Sequence, residues 1–137
     1  MVLRGFKFLL PTLWALLLGI FGVVQAQPVD GLQNRVQAFW EARVAGDPIT
    51  AFQYEEVSVN DTVTLQQYAR SKGNIRYRTA EVLDIHLLTP DEARAEVAIE
   101  GVIPGLPDLY KGIVKDRWVK IDGTWYHAPK PSRLGNR

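Results

Sequence analysis

The chain contains no cysteine, and this absence excludes several kinds of chemistry at once. Disulfide bonds, thiolate catalysis, lipoprotein processing and cysteine-ligated metal sites are all ruled out, so the fold depends on its packed core. With only two histidines, a metal site built from several histidines is excluded unless carboxylates take part. A formal net charge of +1 over 137 residues does not provide the basic surface that nucleic acids require. We therefore predict no metal, no cofactor and no nucleic-acid partner.

The amino-terminal segment has the layout of a secretory signal peptide. Arg4 and Lys7 form a basic start, residues 8–24 form an apolar run, and Ala26 ends a small-residue cleavage site. The alternative is an uncleaved membrane anchor, but the run is at the lower limit for a membrane-spanning helix. We therefore predict residues 1–26 as a signal peptide. The mature protein would then be periplasmic or secreted, with no membrane attachment.

The remaining chain is long enough for one domain. We predict a single domain over residues 27–130 and a loose polar tail over residues 131–137. Apolar residues at helical spacing predict a long first helix, and Gly46 suits the position after it, where φ > 0 is favoured. These apolar residues are Leu32, Val36, Phe39, Trp40 and Val44.

Further signals place two short helices before the strands. Asp47 directly before Pro48 predicts a second helix, because Asp is a good N-cap and Pro fits the first helical position. Thr64 and Gln67 have the spacing of a capping box and predict a third helix. Strand periodicity begins only after these helices, which is not the pattern of crossover units. We therefore predict an α+β domain with an antiparallel sheet of about four strands, covered by helices on one face.

Two long strands are predicted at residues 77–88 and 93–103, where apolar and polar residues alternate. On the first strand, Asp84 and His86 share one face and are expected to face solvent together. The opposite face is apolar and is expected to face the core; it carries Leu83, Ile85 and Leu87.

A hairpin is predicted between residues 108 and 130. Asp122-Gly123 lies between apolar-rich segments, and a type I′ turn needs φ > 0 at both of its central positions. Side chains directly opposite each other share a face, so Asp116 and Lys120 flank Trp118 on a surface that we expect to be exposed. The predicted cross-strand pairs are Ile121 with Thr124, Lys120 with Trp125, Val119 with Tyr126 and Trp118 with His127.

The order of three helices and four antiparallel strands resembles the SnoaL-like / nuclear transport factor 2-like superfamily. Residues 39–43 (FWEAR), the pair at 46–47 (GD) and residues 116–126 carry the likeness, which covers nearly all of residues 30–128. The resemblance implies a strongly curved sheet around the long helix, a cone-like half-barrel with a pocket at its open end. Members include isomerases, dehydratases and polyketide cyclases, and also non-catalytic binding or assembly domains, so the function stays open.

Asp84 and His86 are the sharpest candidates for catalysis. Residues two apart on a strand share a face, so the carboxylate and imidazole can meet as a general base and its orienting partner. Dehydratases of the resembled superfamily are similar in using an Asp–His pair, and Tyr110 completes an Asp/His/Tyr alternative. The alternation of the strand favours a solvated pair instead. The sequence also lacks a nucleophile elbow, a phosphate-binding loop, an HExxH helix and a calcium loop.

Aromatic side chains are the candidates for contact with a ligand, although a tryptophan such as Trp40 is more often part of a core. Trp40 on the first helix, together with Trp118 and Tyr126 on the hairpin, is predicted to contact a ligand. His127 is expected to stack on Trp118 at the sheet surface. Trp118 with Trp125 would alternatively form a homodimer interface on the outer face of the sheet.

The leading hypothesis is an exported, non-catalytic binding domain for a small apolar ligand or a partner protein. It follows from the predicted signal peptide, the family resemblance and the lack of a complete set of catalytic acids and bases. One alternative is a lyase or isomerase that uses Asp84, His86 and Tyr110. The other is a dimerising assembly module.

The hairpin turn gives a first testable prediction. We expect Gly123→Val to lower the free energy of unfolding by about 1 kcal/mol or more, because a β-branched residue is poorly accommodated at φ > 0. Urea denaturation measures this change. A variant as stable as the wild type would mean that the predicted register is wrong.

Overall fold

The computed structural model describes residues 31–71 and 73–129. The predicted signal peptide at residues 1–26 and the tail at residues 131–137 lie outside the described residues. Within the described part, three α-helices come before four β-strands. This order confirms the predicted α+β class. No helix in this part is long and apolar enough to cross a membrane.

The helices are α1 (Leu32–Ala45), α2 (Pro48–Phe52) and α3 (Leu65–Ser71), with a 3₁₀ helix at Glu56–Ser58. The predicted start and stop signals are confirmed. Gly46 ends α1 in the left-handed conformation, at φ +68°. The side chain of Asp47 accepts hydrogen bonds from the first backbone N–H groups of α2. Thr64 and Gln67 bond to each other's backbone N–H, as a capping box does.

The strands are β1 (Arg76–Thr89), β2 (Glu92–Val102), β3 (Leu109–Ile121) and β4 (Thr124–His127). They form one antiparallel sheet in the order β1-β2-β3-β4. All four predicted cross-strand pairs of the hairpin are confirmed, from Ile121 with Thr124 to Trp118 with His127. Asp122 and Gly123 have φ of +48° and +80°, as the turn requires.

The sheet is open and is not strongly curled, with β1 and β4 as its edges. The expected cone-like half-barrel is therefore wrong, whereas the four-stranded antiparallel sheet is confirmed. Each strand pairs with its neighbour along the chain, and no pairing of β4 with β1 closes the described sheet.

The core lies between α1 and one face of the sheet. On this face, small side chains of β2 lie opposite larger ones of β3, since Ala93 is opposite Trp118 and Ala95 is opposite Asp116. The small alanines leave space for the indole rings and for the helix above them. The largest fully buried side chains are Trp118, Trp125, Phe39, Leu32, Val36 and Val97.

Strand β1 departs from the predicted alternation. Ile85 packs against the core, but Leu83 and Leu87 are 48% and 54% exposed, so their expected burial is wrong. Three register shifts occur between β1 and β2, and the one between Val82 and Asp84 places Leu83 at a bulge, which explains why Leu83 faces away from the core. A bulge places an extra residue on one strand and interrupts the period of two.

The other face of the sheet is charged and solvated. Its cross-strand ion pairs are Lys111–Glu100 at 2.7 Å, Lys115–Glu96 at 3.4 Å and Arg117–Glu92 at 2.8 Å. Trp118 and Trp125 lie on the opposite, covered face and are only 0% and 2% exposed. The two indoles are therefore not on the outer face, where the dimer alternative placed them, and dimerisation itself stays a prediction.

Gly101 tests how closely β1 approaches β2. A Cβ at this position would lie 2.8 Å from Cγ2 of Ile75 and 2.9 Å from the carbonyl oxygen of Arg76. We expect Gly101→Ala to lower the free energy of unfolding by roughly 1–3 kcal/mol, because a backbone oxygen has little freedom to move. Urea denaturation measures the loss.

Gly73→Ala is the matched control, since nothing lies within 4 Å of a Cβ there. We expect the control to keep the stability of the wild type or to exceed it slightly, because alanine has fewer unfolded conformations. A Gly101→Ala variant as stable as the control would contradict the close approach.

Candidate functional site

A buried charged cluster is centred on His127. Its Nδ1 lies 2.7 Å from Oε2 of Glu55, and its Nε2 lies 3.3 Å from Oδ1 of Asp116. Glu55 is only 3% exposed and Asp116 only 6% exposed. The imidazole therefore bridges two carboxylates inside the protein.

Backbone pairing fixes this geometry. His127 ends β4, and its N–H donates to the carbonyl of Tyr54 at 2.7 Å, which places Glu55 beside it. On β3, Trp118 is directly opposite His127. Asp116 is two residues from Trp118 and shares its face, so its carboxylate reaches the imidazole diagonally.

Every carboxylate oxygen of the cluster has a partner. Oε1 of Glu55 accepts a hydrogen bond from the Tyr68 hydroxyl at 3.0 Å, and Oε2 contacts His127. Oδ2 of Asp116 accepts one from the indole N–H of Trp40 at 2.7 Å, and Oδ1 contacts His127. Buried charge is tolerated when it is paired and hydrogen-bonded in this way.

The cluster holds His127 in its charged form at neutral pH. Burial disfavours the charge and lowers the pKa, but the hydrogen bonds and charges of Asp116 and Glu55 outweigh it and raise the pKa to about 9. Both ring nitrogens then donate protons. The ring also stacks on Phe39, with 4.5 Å between centroids.

The cluster is not arranged to bind a metal ion. A metal ligand must offer a deprotonated nitrogen, whereas both nitrogens of His127 point at carboxylate oxygens. No group of three or more possible ligands suited to a metal occurs in the part of the chain that the structure describes. The geometry is that of an ion-paired imidazolium inside the fold.

A cleft lies next to this cluster. It has a volume of about 540 Å³ and opens between the end of α1, the start of α2, α3 and the segment that leads into β1. Much of its lining is apolar, including Ala42, Ala51, Ile75 and Pro104. Arg43, Tyr68 and Tyr77 bring polar atoms into it.

Arg43 is the central polar residue of the cleft. Its Nη2 lies 3.4 Å from the Tyr77 hydroxyl, and its guanidinium carbon lies 5.2 Å from the centre of the Tyr77 ring. Burial disfavours its charge, but hydrogen bonds to Tyr68 and Tyr77 raise its pKa. Tyr68 therefore contacts both the cleft and, through Glu55, the buried cluster.

The residues predicted for catalysis do not meet as a set of three. His86 and Asp84 are joined at 2.9 Å, and both side chains are 56% exposed on β1. Tyr110 is exposed on β3 opposite Gly101, toward the other end of the sheet. Their catalytic role stays a prediction.

The residues predicted to contact a ligand lie elsewhere than the cleft. Trp40 and Trp118 are buried in the core. Tyr126 is half-buried, with the guanidinium carbon of Arg35 5.1 Å from the centre of its ring. None of the three lines the cleft, and their role in binding stays a prediction.

Two sequence-based expectations about the cluster are wrong. Asp116 is buried, not exposed, because Trp40 and His127 cover its carboxylate. His127 does contact the edge of Trp118, with 5.6 Å between ring centres, but it lies inside the fold and not at the sheet surface. The predicted register already placed Asp116 and His127 on one face.

No sequence pattern indicated that Glu55 belongs to the cluster, because it is 72 residues away from His127.

Two solved structures share this fold. One is a solution structure of a SEC-C motif containing protein from Rhodopseudomonas palustris, with a TM-score of 0.56 and 11% identity, covering 73% of this chain and 77% of that one. The other is a crystal structure of a SEC-C motif containing protein from Psychrobacter arcticus, with a TM-score of 0.54 and 18% identity, covering 77% and 70%. No family model and no curated protein matches the chain.

These comparisons correct the family expectation. The structures that share the fold are SEC-C motif containing proteins, so the predicted membership of the SnoaL-like / nuclear transport factor 2-like superfamily is wrong. At 11% and 18% identity the likeness shows the fold and nothing about activity.

The charged state of His127 predicts a pH-dependent stability. Its pKa is raised from 6.5 to about 9 in the folded protein, so its contribution is fully present below pH 6.5 and is lost as the pH rises through about 9. We expect the free energy of unfolding to fall across this window by about 1 kcal/mol per pH unit. Urea denaturation at a series of pH values measures the slope.

Two variants assign the slope to the cluster. His86→Ala removes the other histidine, which is exposed, and is expected to keep the slope of the wild type. Glu55→Gln removes one of the two carboxylates and is expected to flatten it. Equal slopes in the wild type and Glu55→Gln would contradict the assignment.

Proposed function

We propose that this chain is an exported, non-catalytic domain that binds a small, largely apolar ligand in the cleft beside Arg43. The cleft itself carries the proposal. A concave site of about 540 Å³ with apolar walls and a few convergent polar groups has the size and character of small-molecule sites.

The state of the polar groups at the cleft supports binding over catalysis. The hydroxyl of Tyr68 donates to Glu55, and its pKa is raised to about 12, mainly by burial and the nearby charge of Glu55. A tyrosine in this state does not serve as a base at neutral pH. The carboxylate of Asp47 accepts hydrogen bonds from Ile49 and Thr50 and is engaged in capping α2.

The buried cluster supports a pre-formed cleft. Helix α3 has no buried residue of its own, so it depends on a few contacts for its position. Tyr68 supplies two of them, the hydrogen bond to Glu55 and a ring contact with Phe52 at 5.3 Å. One wall of the cleft is thereby fixed before a ligand arrives, which reduces the ordering cost of binding.

Filling the cleft from its rim tests the function. Asn74 is exposed and lines the cleft, so Asn74→Trp places a large ring there without disturbing the core. We expect this variant to bind the neutral fluorophore N-phenyl-1-naphthylamine at least fivefold more weakly than the wild type, because the indole occupies the ligand's space. Fluorescence titration measures the affinity.

Gln66→Trp is the matched control, because Gln66 is exposed on α3 and does not line the cleft. It adds the same indole and is expected to bind the fluorophore as the wild type does. Thermal melts check that both variants are folded. No binding by the wild type, or equal weakening in both variants, would count against the cleft as the binding site.

A further inference from the structure

We infer that the ligand of the cleft carries a carboxylate beside a flat apolar group, and that Arg43 binds this carboxylate. The inference rests on the proposed binding function and adds the chemical class of the ligand. It starts from the contacts of Arg43.

Arg43 is half-buried, yet its contacts within residues 31–71 and 73–129 are neutral. They are the hydroxyls of Tyr68 and Tyr77 and the ring faces of Tyr77 and Phe39. Arg117, on the solvated face of the sheet, has a carboxylate partner at 2.8 Å. A guanidinium is a planar fork of donors that matches a carboxylate in two parallel hydrogen bonds. Among the described residues, the cleft therefore presents a cation without its counter-charge.

Asp47 does not provide that counter-charge. Its Oδ1 accepts hydrogen bonds from the N–H groups of Ile49 and Thr50, both at 3.0 Å, and its Oδ2 accepts one from the Thr50 hydroxyl at 2.6 Å. These hydrogen bonds, that of the Thr50 hydroxyl first, also lower its pKa. Arg76 lines the cleft as well, so the site holds two guanidinium groups and one engaged carboxylate.

The same contacts favour a carboxylate over a phosphate. Phosphates bind best where several backbone N–H groups at a helix start are available. At the start of α2 those of Ile49 and Thr50 are already bonded to Asp47. Of the two guanidinium groups that line the cleft, Arg43 is half-buried and Arg76 is exposed, so the buried part of the cleft offers one cation to an anion of a single charge.

The walls of the cleft favour a flat apolar group next to the carboxylate. The ring of Tyr77 lies at 5.2 Å from the Arg43 guanidinium, and Ile75, Pro48 and Pro104 continue the lining. Aromatic and proline rings offer flat surfaces on which another ring packs without loss of side-chain freedom. A volume of about 540 Å³ holds one ring with a short acidic chain.

A pair of probes that differ only in charge tests the inference. Trans-cinnamate and its neutral amide, trans-cinnamamide, are titrated at pH 7 into protein purified after expression of the full chain, and backbone amide shifts are followed by NMR. We expect both probes to shift residues of the cleft. Cinnamate is expected to bind with at least a tenfold lower Kd, because only its carboxylate makes charge-assisted hydrogen bonds with Arg43.

Variants assign the difference to one side chain. Arg43→Met is expected to raise the Kd for cinnamate to that for cinnamamide, while the Kd for cinnamamide changes by less than twofold. Arg94→Met, on the exposed face of the sheet, is the matched control and is expected to keep the tenfold preference. If Arg43→Met does not fold, Arg43→Lys replaces it, because lysine retains the charge without the planar fork. We expect the ratio of the two Kd values to fall at least threefold in this variant.

The outcomes separate this inference from the proposed function. If cinnamate and cinnamamide bind equally well in the cleft, the inference that the ligand carries a carboxylate is wrong, but the proposed binding function is retained. A tenfold preference that survives in Arg43→Met would overturn the role of Arg43. Inorganic phosphate displacing cinnamate at equal concentration would overturn the preference for a carboxylate. Shifts confined to residues outside the cleft for both probes would overturn the inference together with the proposed function.

Discussion

The imidazolium of His127, held between Glu55 and Asp116, is the interaction on which the arrangement of helices and sheet depends. The two carboxylates connect it to the helices, since Trp40 of α1 donates to Asp116 and Tyr68 of α3 donates to Glu55. Loss of one member would leave a buried charge without compensation, which is far more costly than loss of an exposed ion pair. In a chain without cysteine, this network links residues that are distant in sequence and stabilises the fold in addition to the packing of the core.

Two aromatic rings connect the cluster with the cleft, so they are not independent. Phe39 stacks on His127 at 4.5 Å and lies 5.8 Å from the guanidinium carbon of Arg43. Tyr68 donates to Glu55 and also bonds to Arg43. Because the Tyr68 hydroxyl directs its proton to Glu55, its oxygen is free to accept a hydrogen bond from Arg43. The buried charges thereby influence the polar groups that line the cleft.

The features that sequence predicted best are those determined by neighbouring residues. The caps of α2 and α3 and the turn at Asp122-Gly123 depend on side chains and φ angles within a few positions, and all are confirmed. The features that it missed depend on distant contacts. The bulges of β1, the open shape of the sheet and the pairing of Glu55 with His127 arise only when separate elements pack. The cleft is likewise formed by segments of four elements, and although Arg43 belongs to the FWEAR stretch, nothing in the sequence placed it in a cleft.

The three register shifts of β1 have a consequence for the behaviour of the protein in concentrated solution. As an edge strand, β1 pairs with no other described strand on its outer side, and such a row of backbone groups is a template for adding strands of other molecules. The shifts near Tyr77, Val82 and Leu87 interrupt the regular spacing of that row. Bulges increase the local twist and prevent a flat, continuous edge. The irregularity that moves Leu83 out of the core therefore also protects the sheet against edge-to-edge aggregation.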